Sequence, residues 1–88
     1  MFYAYLLQSE PTGRFYIGSA VDPEARLVVH NRGHTPSTRS NRPWRLVWME
    51  SFVTRAEAVH RERYLKSQKS RIVLQALVDA AIREMAVE

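Results

Sequence analysis

Two tyrosines, Tyr5 and Tyr16, lie in the first two segments that favour β-strands. A loop that contains Pro11 and Gly13 separates these segments, as expected for a hairpin. Because side chains alternate along a strand, Tyr16 and Gly18 share one face, and pairing of Tyr5 near Tyr16 would place both phenols side by side. Packing alone explains a cross-strand aromatic pair. The tyrosines gain chemical interest only if charged groups lie beside them.

The segment after the second strand supplies an arginine and a histidine. Asp22 as N-cap and Pro23 at the first turn predict a helix that ends near Arg32. Arg26 and His30 are four residues apart, so they lie on one face of this helix. Since arginine binds phosphate through two parallel hydrogen bonds, a phosphate site is one interpretation. A solvent-facing pair is the other.

Glu62 has an unusual position in a helix predicted over residues 54–66. It shares an apolar stripe with Ala58 and Leu65, so its carboxylate is expected to face inward. An inward carboxylate needs a cation or hydrogen bonds to offset its desolvation. Mg²⁺ or Mn²⁺ would satisfy it, because both prefer oxygen ligands, and so would an internal salt bridge. The candidate salt-bridge partners are Arg26, Arg61 and Lys66.

Composition limits the other classes of function. The 88 residues predict one small domain over residues 1–88. The chain has no cysteine, which excludes disulfides and thiolate metal sites. His30 and His34 have a zinc-like spacing, but no third ligand follows nearby. No apolar run approaches the roughly 18–20 residues that span a bilayer, so we expect a cytoplasmic protein without a membrane segment.

The basic residues are clustered. The formal net charge is +4, and no acidic residue lies between residues 25 and 49. Such clusters favour a polyanionic partner, although a solvated basic surface would have the same composition. Trp44 could stack on a base or belong to the core. The residues expected to contact nucleic acid are Arg32, Arg39, Arg42, Arg45, Lys66 and Lys69.

The predicted elements follow the order β-β-α-β-α-α. Strands are predicted over residues 2–7, 15–21 and 45–52, with a polar loop over residues 34–43 and an apolar last helix over residues 70–85. This order indicates an α+β fold, with a small three-stranded antiparallel or mixed sheet flanked by helices. The last helix carries an apolar stripe that could pack on the sheet or contact a protein partner or a second copy. That stripe comprises Val73, Leu77, Ala80, Ala81 and Met85, widened by Ile72, Leu74, Val78 and Ile82.

Taken together, these motifs resemble the GIY-YIG nuclease superfamily over residues 2–75. The resembling features are Y-A-Y at residues 3–5, Y-I-G at residues 16–18, and Arg26, His30 and Glu62 in the same order. The chain is most similar to small stand-alone bacterial members, which resemble the N-terminal nuclease domain of the bacterial excinuclease. It departs from the pattern in the first two residues of the first motif. It also lacks an asparagine after the Glu62 helix, whose role would be absent or pass to Lys66 or Ser67.

The resemblance implies an endonuclease that uses Mg²⁺ or Mn²⁺ to hydrolyse phosphodiester bonds in DNA, including branched or single-stranded forms, as in DNA repair. Glu62 would hold the metal, and Arg26 would offset the growing charge on the phosphoryl oxygens. Tyr16 would accept the proton of the attacking water, since a metal and an arginine nearby favour a phenolate.

The resemblance also implies three supporting residues. Tyr5 and His30 would orient the phosphate, and Gly18 would leave space for the phosphate and metal to approach the backbone. Within residues 1–88 we expect no separate DNA-binding domain of the kind that larger relatives use to choose targets. The alternative is therefore a nucleic-acid-binding module, or a subunit that cleaves only with a partner. DNA, or else RNA, would be bound in either case.

Overall fold

The computed structural model describes residues 1–86, which form one three-stranded sheet and four helices. The sheet is antiparallel in the order β2-β1-β3, so β2 and β3 are edge strands. The predicted α+β class is confirmed. In chain order the elements are β1 (Phe2–Ser9), β2 (Phe15–Ala20), α1 (Pro23–Asn31), α2 (Pro36–Arg39), β3 (Trp44–Phe52), α3 (Arg55–Gln68) and α4 (Arg71–Ala86).

The register between β1 and β2 differs from a direct pairing of the two tyrosines. Tyr5 lies opposite Gly18, and Leu7 lies opposite Tyr16. The two tyrosines are therefore diagonal neighbours on one face of the sheet. Their ring centroids are 6.4 Å apart. This diagonal arrangement places the Tyr5 ring over β2.

The central strand separates two apolar clusters. Leu6 points to the side covered by α3 and α4, whereas Tyr5 and Leu7 point to the side covered by α1. Alternation along β1 requires this division, because successive side chains face opposite sides of the sheet. The first cluster is built on Leu6, Leu65, Leu74 and Val78, and the second on Tyr5, Leu7 and Trp44.

Side-chain caps begin the two helices that carry the site, and the Asp22 cap is predicted from the sequence. The Asp22 side chain accepts a hydrogen bond from the Ala25 N–H at 3.1 Å and begins α1. Thr54 and Glu57 form a capping box at the start of α3. These caps fix where each helix begins, and therefore which side chains reach the sheet.

The segment predicted as a polar loop over residues 34–43 contains the short helix α2. Thr38 of this helix is buried and its carbonyl accepts the Trp44 indole N–H at 2.8 Å. Asn31 hydrogen-bonds both the backbone N–H and the carbonyl of Trp44. Trp44 is 5% exposed, so it belongs to the core and does not offer a stacking face. These contacts hold the segment against α1 and extend β3 by one residue beyond its predicted start.

Helix α4 packs through a different stripe from the main one predicted. Leu74 and Val78 are buried, and Leu77 packs against them. Ile72 and Ile82 are exposed, at 82% and 58%. The side chain of Met85 lies outside the described part of the chain. Within residues 1–86, no helix is both long and apolar enough to cross a membrane.

Candidate active site at the edge of β2

The Tyr5 ring lies directly over Gly18. A Cβ atom at Gly18 would be 2.6 Å from both Cζ and Oη of Tyr5, which is closer than side chains approach in folded proteins. Glycine is therefore required because the Tyr5 ring fills the space above it. This corrects the expectation that Gly18 leaves that space for a phosphate and metal. The hydroxyl of Tyr5 reaches across the edge strand as a result.

Tyr16 stands at the centre of an aromatic group. Its ring centroid is 4.6 Å from that of His30, and 6.4 Å from those of Tyr5 and Trp44. Tyr16 is half-buried, whereas Tyr5 and His30 are 1% and 0% exposed. The structure thus brings the predicted aromatic residues together, but only Tyr16 among them is accessible. Direct phosphate contact by Tyr5 and His30 is not available in this conformation.

Arg26 supplies positive charge to this group. It is exposed on α1, one turn before His30. Burial raises the pKa of Tyr5 above its usual value, the Tyr16 charge adds to this effect, and Arg26 beside the phenol opposes it. The pKa of His30 is lowered by burial and by Arg26. The imidazole is therefore neutral near pH 7, and Arg26 supplies the positive charge beside the two phenols.

Glu62 is held by two donors. The Ser19 hydroxyl donates to one carboxylate oxygen at 2.6 Å, and Lys66 Nζ donates to the other at 2.5 Å. Burial alone would raise the pKa of Glu62, but the hydrogen bonds from Lys66 and Ser19 outweigh it and lower the pKa. The side chain is 18% exposed, so the inward position predicted for this carboxylate is confirmed. Lys66 is the salt-bridge partner among the three considered, since Arg61 pairs with Glu50.

Glu62 reaches the tyrosines around the strand edge. Ser19 faces α3, and Gly18 faces α1, because neighbouring residues of β2 alternate. The Glu62 charge nevertheless raises the pKa of Tyr5, which places the carboxylate within electrostatic range of the phenol. The site therefore surrounds the outer edge of β2, with Arg26 on one side and Glu62 on the other.

His30 is tied to α2 by Thr38. The His30 Nδ1 atom and the Thr38 hydroxyl are 2.9 Å apart, and that hydroxyl also donates to the Thr35 carbonyl at 3.2 Å. Among the buried side-chain nitrogen and oxygen atoms that the structure describes, His30 Nε2 lacks a hydrogen-bond partner. A buried polar atom without a partner is uncommon, and this one belongs to the ring that packs against Tyr16.

The predicted nucleic-acid contacts fall in separate places. Arg39 and Arg42 line a groove beside α2 and hydrogen-bond local carbonyls. Lys66 and Lys69 line a second groove at the end of α3. Arg32 and Arg45 are exposed but line neither groove. We call the second groove the α3-end groove; its cations are Arg14, Lys66, Lys69 and Arg71.

The carboxylate oxygens of Glu62 fit a hard metal ion that keeps several of its waters, and they do not fit a zinc centre. No cluster of three or more His, Cys, Asp or Glu side chains occurs in the part of the chain that the structure describes. Mg²⁺ retains several waters and binds proteins through one or two carboxylates plus substrate phosphates. A single carboxylate with a low pKa meets that requirement. His34 is exposed and His30 is buried against Thr38, so the two do not form a zinc pair.

Sequence reasoning missed Ser19 and Thr38. Each is an ordinary hydroxyl residue with no distinctive spacing, and each gains its role from a partner farther along the chain. Ser19 meets Glu62 across 43 positions, and Thr38 meets His30 across eight. Of the two residues to which the role of the absent asparagine could pass, Lys66 contacts Glu62, whereas Ser67 donates to the Tyr64 carbonyl.

Comparison with known families agrees with this geometry. The pattern of the GIY-YIG catalytic domain matches residues 1–75, which include every residue of the site. The chain belongs to the GIY-YIG family. A UPF0213 protein of Streptococcus pneumoniae is 35% identical over 68 residues, covering 76% of this chain and 68% of that protein.

Two further relatives of this GIY-YIG chain are a solved structure and a subunit of a nuclease. The solution structure of the UPF0213 protein BH0048 from Bacillus halodurans is 32% identical, with a TM-score of 0.55, and the match covers 91% of this chain and 85% of that one. The structure-specific endonuclease subunit SLX1 of Meyerozyma guilliermondii is 42% identical over 73 residues. That match covers 75% of this chain but 25% of SLX1. This GIY-YIG chain therefore resembles both a small protein of its own size and one part of a larger nuclease subunit.

Proposed function

We propose that this protein is a divalent-metal-dependent endonuclease that hydrolyses phosphodiester bonds in DNA. The observation that carries the proposal is the convergence around β2, where Tyr16, Arg26 and Glu62 are accessible and Tyr5 is coupled to both charges. An accessible phenol, a cation and a carboxylate are the groups that phosphodiester hydrolysis needs for water activation and charge stabilisation. Membership of the GIY-YIG family supports the same reaction class.

Glu62 would hold Mg²⁺ or Mn²⁺ at its outer edge. When bound, the metal supplies Lewis-acid activation of water and offsets phosphate charge. The Ser19 and Lys66 hydrogen bonds keep the carboxylate ionised and fixed in direction. Lys66 donates to one carboxylate oxygen, so its ammonium group would have to share or release that oxygen for Glu62 to hold a metal.

Arg26 and Tyr16 would act on the substrate directly. Arg26 is exposed, so its guanidinium can bind two phosphoryl oxygens. Its positive charge then stabilises the charge that develops during hydrolysis. Tyr16 would accept the proton of the attacking water. Its half-buried position leaves its ring supported by His30 and Trp44.

Tyr5 and His30 would have positioning roles in this scheme. Both side chains are buried, so they act through Arg26 and Tyr16 and do not touch the phosphate. This revises the roles that the family resemblance implies for them. The Tyr5 phenol lies beside Arg26 and thereby restricts where the guanidinium can move.

The α3-end groove would guide the DNA strand. It carries four cations and no carboxylate in its lining, and Lys66 joins it to Glu62. Its apolar floor includes the Phe15 ring, over which Arg71 lies at 5.3 Å. Cations bordering an aromatic floor suit a single strand, which presents both phosphates and bases. Branched or single-stranded DNA is therefore the substrate that we propose, and the cytoplasm stays the predicted location.

A partner-dependent activity is the second candidate. Its support is the SLX1 relative, whose name describes a subunit and of which the match covers 25%. The exposed Ile72 and Ile82 on α4 offer apolar surface to such a partner or to a second copy of the chain. Under this candidate, the isolated chain binds DNA but cleaves it poorly.

The decisive experiment screens cleavage of flap, fork, junction, single-stranded and duplex DNA with Mg²⁺ or Mn²⁺. Wild type is compared with Glu62→Gln and with Glu84→Gln, which removes an exposed carboxylate on α4. We expect cleavage by wild type and Glu84→Gln, and a loss of at least about a hundredfold in Glu62→Gln, as typical for removal of a key catalytic group.

Calorimetric titration with Mn²⁺ separates the two candidates. Metal binding by wild type that disappears in Glu62→Gln supports the metal-dependent enzyme. DNA binding without metal binding or cleavage supports the module or partner-dependent subunit. Equal cleavage by wild type and Glu62→Gln would contradict the proposed role of Glu62.

A further inference from the structure

The Thr38 hydroxyl decides which nitrogen of His30 carries the proton. A hydroxyl has one hydrogen to donate, and that of Thr38 is directed to the Thr35 carbonyl. The same oxygen can therefore only accept at its second contact, which is His30 Nδ1 at 2.9 Å. For both contacts to be hydrogen bonds, Nδ1 must donate to the Thr38 oxygen, which leaves a lone pair on Nε2.

The missing partner of Nε2 favours the same tautomer. Burial and, to a smaller extent, the Arg26 charge lower the pKa of His30, so the imidazole is neutral in the resting site. Leaving a buried acceptor without a partner is more common than leaving a buried N–H donor without one. The Thr38 hydroxyl and the unpartnered Nε2 therefore indicate the same tautomer.

The free nitrogen lies on the side of the ring away from Thr38. Nδ1 and Nε2 point in widely divergent directions, so an Nδ1 bonded to α2 turns Nε2 away from that helix. The Tyr16 ring packs against the imidazole at 4.6 Å between centroids. Nε2 has no partner in this structure, and hydrogen bonds in catalytic sites often shorten only when substrate binds.

We propose that Thr38 is a positioning residue that holds the His30 proton on Nδ1 and so presents Nε2 to Tyr16 as a hydrogen-bond acceptor. As the Tyr16 oxygen takes the proton of the attacking water, the Tyr16 hydroxyl passes its own proton to Nε2, so the step leaves a hydroxide, a neutral phenol and an imidazolium. The inference rests on the proposed function for its catalytic consequence. The tautomer itself does not depend on any activity.

The test is ¹⁵N NMR of the three histidine rings in the folded chain of residues 1–88. We expect His30 of wild type to be neutral and protonated on Nδ1. Thr38→Val removes the hydroxyl with little change of shape, and should move the proton to Nε2 or leave both tautomers populated. Thr38→Ser keeps the hydroxyl and should retain the wild-type tautomer. His34 and His60, which are exposed, serve as internal references.

Kinetics then test the consequence of that tautomer. On the best cleaved substrate, Thr38→Val should lower kcat by about tenfold or more, with KM within about twofold of wild type, because a tautomer error affects the chemical step. Thr38→Ser should restore kcat. Equal kcat in Thr38→Val and wild type would overturn the positioning role.

The outcomes separate this inference from the proposed function. His30 protonated on Nε2 in wild type overturns the inference, whether or not the chain cleaves DNA. An unchanged tautomer in Thr38→Val does the same. A wild-type chain that shows the expected tautomer but cleaves no substrate counts against the nuclease proposal alone. Should Thr38→Val not fold, Thr38→Ala removes the same hydroxyl, and the wild-type spectrum remains decisive by itself.

Discussion

Replacing Gly18 with alanine is expected to disturb the site through a single methyl group. The added Cβ would lie 2.6 Å from Cζ and Oη of Tyr5 and 3.0 Å from Cε1, whereas ordinary contacts begin near 3.4 Å. The ring must therefore move by about 0.8 Å. Tyr5 is 1% exposed, so its surroundings leave no free space for that movement. The strain falls on the residue that lies beside Arg26.

The size of the effect follows from two opposing contributions. Overpacking of a well-packed core costs about 1–3 kcal/mol. Alanine in a strand is about 0.5–1 kcal/mol better than glycine, because it loses less backbone entropy on folding. The net expectation is a loss of about 1–2 kcal/mol in the free energy of unfolding. For a domain of this size, that loss lowers Tm by about 5–15 °C.

A double-mutant cycle with Tyr5→Leu tests the cause. Leucine lacks Cζ and Oη, so Gly18→Ala should be neutral or slightly stabilising in that background. Unfolding in urea, followed by circular dichroism, gives the four free energies. The coupling between the two positions should be about 2 kcal/mol, within the range of residues in direct contact.

Two results would refute this reasoning. A Gly18→Ala variant as stable as wild type would show that the Tyr5 ring does not occupy the space over Gly18. An equal cost in both backgrounds would locate the strain elsewhere. If stability is unchanged but cleavage is lost, the space belongs to the substrate, as the sequence alone suggested.

Three further perturbations have defined expectations. The pKa of Glu62 in the folded protein is below its usual 4.5, so the ionised carboxylate stabilises the fold above pH 4.5, and this stabilisation is lost as the pH falls through the lower folded value. Glu62→Gln should therefore lack this component of acid unfolding. Asn31→Ala leaves the buried backbone groups of Trp44 without partners and should cost about 1–3 kcal/mol in urea unfolding, and no measurable cost would contradict it. Lys69→Gln should reduce the slope of log K for DNA binding against log salt by about 0.7–0.9, whereas Arg83→Gln on α4 should not.

Local signals predicted the elements of the fold well. The Asp22 and Thr54 caps, the hairpin residues and the alternating apolar pattern each act within a few positions, so a single sequence contains them. The inward position of Glu62 also followed from helical periodicity. Each of these features depends on residues that are near in the chain, and each is present in the structure.

Predictions that needed distant partners were less accurate. Helix α2 depends on the contacts of Thr38 with His30 and Trp44. No residue pattern within residues 34–43 predicts these contacts. The basic residues divide between grooves because the strands and helices separate them in space. The homodimer or partner contact through α4 stays a prediction.

The sequence by itself determined the chemical inventory: the tyrosines, Arg26, His30 and Glu62, on elements of the right type. Only the tertiary structure decided which of these side chains are exposed to solvent. Strand register set Tyr5 over Gly18, and packing of α1 and α2 buried His30 and left Arg26 outside. Register and burial result from contacts between segments that are far apart in the chain. The physical reason is that side-chain exposure depends on the whole packing arrangement, whereas residue type and periodicity do not.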